Sequence, residues 1–411
     1  VTDVPEELVP IKKQALFALP LAVGLLASGC GGNATDSSSS AGTNAPGITA
    51  KEVKIGFTGP LTGIAGLAGQ GITAGMQIAA DQINSSGGIN GRKIKLILDD
   101  DAYESPRLVA NVRRLVSQDK VYALVAPAGS QALPGTWAFI AEQNTPVWGP
   151  ISPTDPKMQQ VYNLAATRTA QDEVAVDHFA DQGKKRLAII AVDSDTGQGG
   201  LDAVHNQVPK HPGMKLVSEA KVETGSTNVS SAVLQTLKAK PDALVIATSN
   251  LQVALILKQL RSQGSNIPVM ADQGAAGTGG SSATGPAGSA AEGLIGGLQV
   301  ALPTDDIPEV KTWLALAQKS AMPQAVSSFS IQGYGYLQTF AEVLKRAGKD
   351  VSYANFYKEA DKLATNPVDV KVMPAVKCGP IPTGHTCSNS AALAVFKGGK
   401  WEPLLPFTDP K

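Results

Sequence analysis

Residues 53–101, VKIGFTGPLTGIAGLAGQGITAGMQIAADQINSSGGINGRKIKLILDDD, read as a strand, a Gly-rich turn, a helix and a second strand without interruption. Val53, Ile55 and Phe57 alternate with smaller or polar residues until Gly59 and Pro60 break the run. Ile72, Met76, Ala79, Ala80 and Ile83 then recur at helical spacing, and Gly87 with Gly88 supplies a left-handed stop. Ile94, Leu96 and Leu98 alternate again before three aspartates, Asp99, Asp100 and Asp101. A strand, crossover helix and strand in that order build a parallel sheet buried under helices. The long loop of small residues at 59–71 lies where such folds place ligands, although it lacks the GxGxxG pattern and the phosphate lysine of nucleotide sites.

At 411 residues the chain exceeds one ordinary core and suits two lobes plus extra segments. Lys and Arg balance Asp and Glu at 35 each, so no net field points to nucleic acid or to an anionic membrane. Aromatic residues make up 5%, which argues against a carbohydrate cleft paved with rings.

Residues 1–30 read as a targeting segment, with Lys12 and Lys13 before an apolar run and small residues before Cys30. The stretch LASGC at 26–30 resembles a bacterial lipobox, with Ala27 where Leu is commonest, and it implies a lipid on Cys30; an ordinary secretory signal is the alternative. Residues 31–50 read as a flexible linker of Gly, Ser, Thr and Asn. Cys378 and Cys387 remain as a pair for an exported, oxidising setting, with a zinc site including His385 as the rival.

Further along, Leu108, Val112, Leu115 and Val116 mark a helix, 122–126 a strand, Trp137 and Ile140 a helix, and 146–148 a strand. The pattern restarts after Thr169: a helix at 172–181, strands at 187–192, 215–222, 243–247 and 268–271, and a helix carrying Val253, Ile256, Leu257 and Leu260. Residues 274–293 read as a mobile loop and 294–300 as a strand. Helices follow around Leu337, Phe340, Ala341 and Leu344 and at 353–363, before a closing hairpin that turns at Gly398 and Gly399.

In that order and spacing, IGFTGPLTG at 55–63, INSSGGINGRKIKLILDDD at 83–101, and Arg113-Arg114-Leu115-Val116 before VYALVAP resemble the leucine/isoleucine/valine-binding family of bacterial solute-binding proteins, the receptors of ABC importers. The resemblance runs from about Val53 to the end. It implies an α/β fold of two Rossmann-like lobes with parallel central sheets, joined by a hinge that the chain crosses three times. Lobe one would take 51–168 plus 299–389, and lobe two 169–298 plus 390–411. It also implies a monomer that captures a small-molecule ligand between the lobes, partners ABC permease subunits, needs no cofactor or metal, and sits outside the cytoplasmic membrane on its lipid anchor.

Carried over position by position, Ser130, Thr154 and the backbone near Ser152 would hold a ligand carboxylate. On the facing lobe Thr196 stands where an aromatic is usual, and Ser249 or Asn250 where a tyrosine is. The acid expected to hold an ammonium falls at or next to Gln273, with Asp172 or Asp195 as other sources of charge. A buried ammonium needs a paired anion, so Gln273 favours a ligand with a carboxylate and no free α-ammonium. Ser130, Thr154 and Thr196 could equally cap helices.

Asp99, Asp100 and Asp101 lack the alternate spacing of a calcium loop and read as a solvated strand end. The histidines, at 178, 205, 211 and 385, read as surface residues. No GxSxG, HExxH or GxxxxGK pattern marks an enzyme. A sensor feeding a membrane signalling partner, or a lipid-anchored hydrolase, are the rival functions.

Overall fold

The computed structural model of the chain describes residues 45–411 except 64, 130, 131, 153, 156, 278–282 and 382–384. The targeting segment, Cys30 and most of the linker therefore lie outside the described residues.

The strands are β1 (Glu52–Gly59), β2 (Lys93–Asp100), β3 (Ala123–Val125), β4 (Val147–Trp148), β5 (Val161–Tyr162), β6 (Arg186–Val192), β7 (Lys215–Val222), β8 (Ala243–Ala247), β9 (Val269–Ala271), β10 (Leu294–Leu298), β11 (Ala391–Lys397) and β12 (Lys400–Thr408). The helices are α1 (Gly66–Ser85), α2 (Ser105–Ser117), α3 (Trp137–Glu142), α4 (Arg168–Asp181), α5 (Asp195–Gln207), α6 (Ser230–Lys238), α7 (Asn250–Ser262), α8 (Gln273–Ala276), α9 (Thr284–Ala287), α10 (Pro308–Lys319), α11 (Ser328–Arg346) and α12 (Tyr353–Asp361).

Two sheets result. The first, ordered β2-β1-β3-β4-β5, is parallel throughout. The second, ordered β12-β11-β10-β9-β8-β6-β7, is parallel except for the closing hairpin at its edge. Side chains alternate across each sheet, as strand geometry requires. In β3 and β4, Ala123, Val125 and Trp148 enter one core while Leu124 and Val147 enter the one opposite. In β8, Leu244 and Ile246 face α7, and Ala243, Val245 and Ala247 face α4 and α5. Both faces are covered by helices, which is why these strands read as continuous apolar runs.

The chain passes between the two sets of cores three times. Ala165 packs in the first lobe and Ala166 in the second; Leu298 and Val300 divide similarly, as do Cys387 and Ala391. The fold is thus two parallel-sheet lobes joined by three crossings.

Close helix packing builds the first lobe. A Cβ at Gly75 of α1 would lie 1.8 Å from the Ser330 carbonyl oxygen of α11, and one at Gly333 would lie 2.0 Å from the Ile72 carbonyl oxygen. The scarce aromatic residues concentrate in this lobe, where Tyr122, Trp148, Tyr162, Phe340, Phe356 and Tyr357 pack ring against ring.

Residues 274–293 are not a mobile loop where they are described: Ala275, Ala276, Ala283, Ala287, Ala290 and Ala291 are buried in the second-lobe core, in short helical turns. Small residues here fill space instead of leaving it. His385 is no surface residue but is buried, stacked on Tyr162 at 4.1 Å, with Nδ1 2.8 Å from the Met158 carbonyl oxygen. His211 is also largely covered, its Nε2 2.5 Å from Asp177 Oδ1.

Cys378 and Cys387 are joined by a disulfide. The segment it closes runs beside β5: the Asn163 N–H donates to the His385 carbonyl and the Cys387 N–H to the Asn163 carbonyl, each at 2.8 Å. The bond therefore sits at the near side of the third crossing, between Cys387 and Ala391.

Candidate functional site

In parallel sheets ligands collect at the carboxyl ends of the strands, and both sheets concentrate small polar residues there. In the first lobe the loop after β1 is pinned by Asp100. Its carboxylate accepts from the Leu61 N–H (2.8 Å), the Thr62 N–H (3.2 Å), the Thr62 hydroxyl (2.6 Å) and the Ala102 N–H (2.9 Å). Burial opposes its charge, but these hydrogen bonds outweigh it and hold the group down to about 2. Asp101 is fully buried; burial pushes its carboxyl up, against hydrogen bonds from the Tyr103 N–H and the Thr58 hydroxyl. Asp99 is ion-paired with Arg114. The aspartates are therefore not a solvated strand end: they fasten the first Gly-rich loop and helix α2 to the sheet.

The loop after β3 stays close to its neighbours, Ala128 N–H donating to the Thr58 carbonyl at 2.9 Å and Ile151 N–H to the Pro127 carbonyl at 2.8 Å. Gly149 turns the chain after β4 at φ 66°, and a Cβ there would lie 2.4 Å from the Tyr336 ring. That turn presents Ser152 and Thr154, both half-buried. Ser130 lies outside the described residues. Ser152 and Thr154 thus share the carboxyl edge of the first sheet with the Asp100-held loop.

In the second lobe Thr196 is half-buried in the first turn of α5, after β6. Ser249 caps α7 in a reciprocal capping box: its hydroxyl accepts from the Gln252 N–H, and the Gln252 side chain returns to the Ser249 N–H. Asn250 accepts from the Leu251 N–H at 2.8 Å. Both therefore serve the start of that helix. Asp195 opens α5.

Gln273 is buried at the end of β9 and ties the lobe to its hinge. Its N–H donates to Gln171 Oε1 (2.8 Å), its Oε1 accepts from the Gln299 N–H (2.7 Å), and Gln299 Nε2 donates to the Ala166 carbonyl (2.7 Å). Gln299 and Ala166 belong to two different crossings, so this chain of amides spans the hinge.

The acid adjacent to Gln273 is Asp272, only 1% exposed. Its Oδ1 caps α8 by accepting from the Gly274 and Ala275 N–H groups, and its Oδ2 faces Arg168 Nη1 at 3.6 Å. Asp172 lies in the next turn of α4 from Arg168 and is equally buried; its Oδ1 has no hydrogen-bond partner among the described residues. Burial pushes the Asp172 carboxyl well up, Asp272 adds to the shift, and Arg168 opposes it. Gly200 of α5 fits against this carboxyl only because it has no side chain, since a Cβ there would lie 2.3 Å from Ala247 Cβ.

The structure thus gathers Asp172 and Gln273 into one cluster at the hinge and leaves Thr196, Ser249 and Asn250 at the starts of α5 and α7, which follow β6 and β8 at the same edge. Sequence reasoning missed Arg168, Gln171 and Gln299, and reached Asp272 only as the position next to Gln273; Arg168 gave no signal, since only the fold brings it to Asp272.

Comparison with known proteins agrees with this architecture. A family model described as periplasmic binding protein matches residues 52–400. An amino acid binding protein of Pseudomonas aeruginosa is 30% identical over 54% of this chain and 61% of its own length. A Leu/Ile/Val-binding protein of Rhizobium johnstonii is 26% identical, covering 85% of this chain and 93% of that protein. Among solved structures, a fatty acid ABC transporter substrate-binding protein from Thermomonospora curvata superimposes with a TM-score of 0.72 at 19% identity, over 90% of this chain and 95% of its own. A branched chain amino acid ABC transporter protein from Thermus thermophilus with bound valine gives 0.71 at 17% identity, over 88% and 97%.

Proposed function

This chain belongs to the periplasmic binding protein family, and on that premise we propose that it is the extracytoplasmic receptor of an ABC importer, capturing a small polar or carboxylate-bearing ligand between its lobes. Relatives and structural neighbours are binding proteins, not enzymes, and the family acts outside the cytoplasm.

One observation carries the reading: both sheets direct polar loops to their carboxyl edges, and these edges belong to lobes joined by three chain crossings, two of them bridged by the Gln273, Gln299 and Ala166 amides. A ligand touching both edges gains contacts only when the lobes approach, so binding shifts the population toward closure. Lobe one, on this reading, takes 51–165 and 299–389, and lobe two 166–298 and 390–411, the first boundary following Ala165 and Ala166 into their separate cores. Ser130, Ser152 and Thr154 offer donors from the first lobe and Thr196 from the second. A lipid on Cys30 would hold the receptor, as a monomer, beside its permease subunits.

The names of relatives span branched-chain amino acids and fatty acid. A carboxylate is common to both. Titration calorimetry with leucine, valine, their 2-oxo acids and hexanoate, paired with small-angle X-ray scattering, tests the reading. We expect one-to-one binding by a carboxylate together with a smaller radius of gyration. Binding that leaves the radius unchanged would contradict it.

A further inference from the structure

An ammonium site needs acceptors exposed to a ligand, and those of the cluster at the end of β9, Asp172, Asp272 and Gln273, are buried. Asp272 Oδ1 holds two backbone N–H groups and Oδ2 faces a guanidinium. Gln273 Oε1 is taken by Gln299. Asp172 is buried inside the lobe.

The donor side is the reverse. Arg168 has five N–H donors in a planar fork. Its side chain is 49% exposed, and at 3.6 Å its pairing with Asp272 is longer than a hydrogen bond. None of its N–H groups is hydrogen-bonded to a described residue. It stands just after the first crossing, as the first residue of α4, with Nη2 beside the exposed Gly274 at the carboxyl end of β9. Asp272 holds the guanidinium at that edge without consuming its fork.

We propose that Arg168 is a ligand-binding residue that takes a carboxylate from the second lobe, so that the preferred ligands are amine-free carboxylic acids and not zwitterionic amino acids. This rests on the receptor reading above and gives it a substrate class. A guanidinium pairs with a carboxylate through two parallel N–H···O bonds, which become desolvated as the lobes close.

The test is calorimetric titration of hexanoate, glutarate, 4-methyl-2-oxopentanoate and leucine into the wild-type protein, R168K, R168Q and R168Q/D272N. The double variant matters because R168Q alone leaves Asp272 buried without its cation, and D272N restores neutrality if R168Q fails to fold. At least one amine-free acid is expected to bind the wild type more tightly than leucine. R168K should weaken that acid severalfold, and R168Q or the double variant by about tenfold or more. Unchanged affinity in the arginine variants overturns the role of Arg168 and leaves the receptor intact. Leucine binding more tightly than every amine-free acid, or no amine-free acid binding at millimolar concentration, overturns the substrate class. Only loss of ligand-driven closure would count against the receptor itself.

Discussion

Asp172 shows how a single side chain can be read two ways. Its position in the sequence suggests a charge offered to a ligand, yet it is buried with an unpartnered oxygen, and burial followed by the neighbouring Asp272 pushes its carboxyl well up. The sign follows directly. A carboxyl raised in the folded state adds stability that is fully present below the unfolded value of about 4 and is lost as pH rises through the folded value. Asp172→Asn removes that dependence. We expect D172N to be more stable than the wild type at pH 7 by about 1–3 kcal/mol, with the gap closing toward pH 4, in urea unfolding followed by circular dichroism. A gap that is constant with pH would show the carboxyl to be charged in the fold. Ser249 gives a second residue-scale test. As the cap of α7 its replacement by Ala should cost about 1 kcal/mol, and an unchanged unfolding midpoint in S249A would contradict the capping role.

At the scale of elements, the helix pair α1 and α11 sets the first lobe, because glycines let the two backbones approach. Gly333→Ala places a Cβ 2.0 Å from a backbone oxygen that cannot rotate away. It should destabilise the protein by at least about 1–3 kcal/mol, visible as a lowered thermal midpoint; a midpoint within a degree of the wild type would contradict the tight packing. Period and punctuation made most elements legible. The alternation at Val53, Ile55 and Phe57 and the helical stripe from Ile72 to Ile83 survive as β1 and α1. What was not legible has local causes. Strand β5 is two residues long, Val161 and Tyr162, too short for any period. Helix α10 buries only Val310, Trp313 and Ala317 and went unrecognised. The Gly and Ala residues between 274 and 293 have the composition of a loop, but their lack of bulk is what lets them pack under α7.

At the scale of the whole molecule, the two-lobe plan was visible as a pattern that restarts after Thr169. The site was legible only in part. Ser152 and Thr154 stand on a strand-end loop and Thr196 in the first helical turn after β6, at the edges where the parallel-sheet rule puts them. The Asp99-Asp100-Asp101 run was misread because strand ends are usually solvated, whereas here a loop and a helix fold back onto it. The Arg168–Asp272 pair joins residues more than a hundred positions apart, and no local pattern reports such a meeting. It nevertheless decides the chemistry, because it leaves an exposed guanidinium beside buried acceptors at the second lobe's edge.

That balance is the centre of the account, and native mass spectrometry tests it with the unaltered protein. The chain is equilibrated with an equimolar mixture of leucine, 4-methyl-2-oxopentanoate, hexanoate and glutarate and then measured under non-denaturing conditions. One amine-free acid is expected to be retained per chain. Retention of leucine in its place would contradict it.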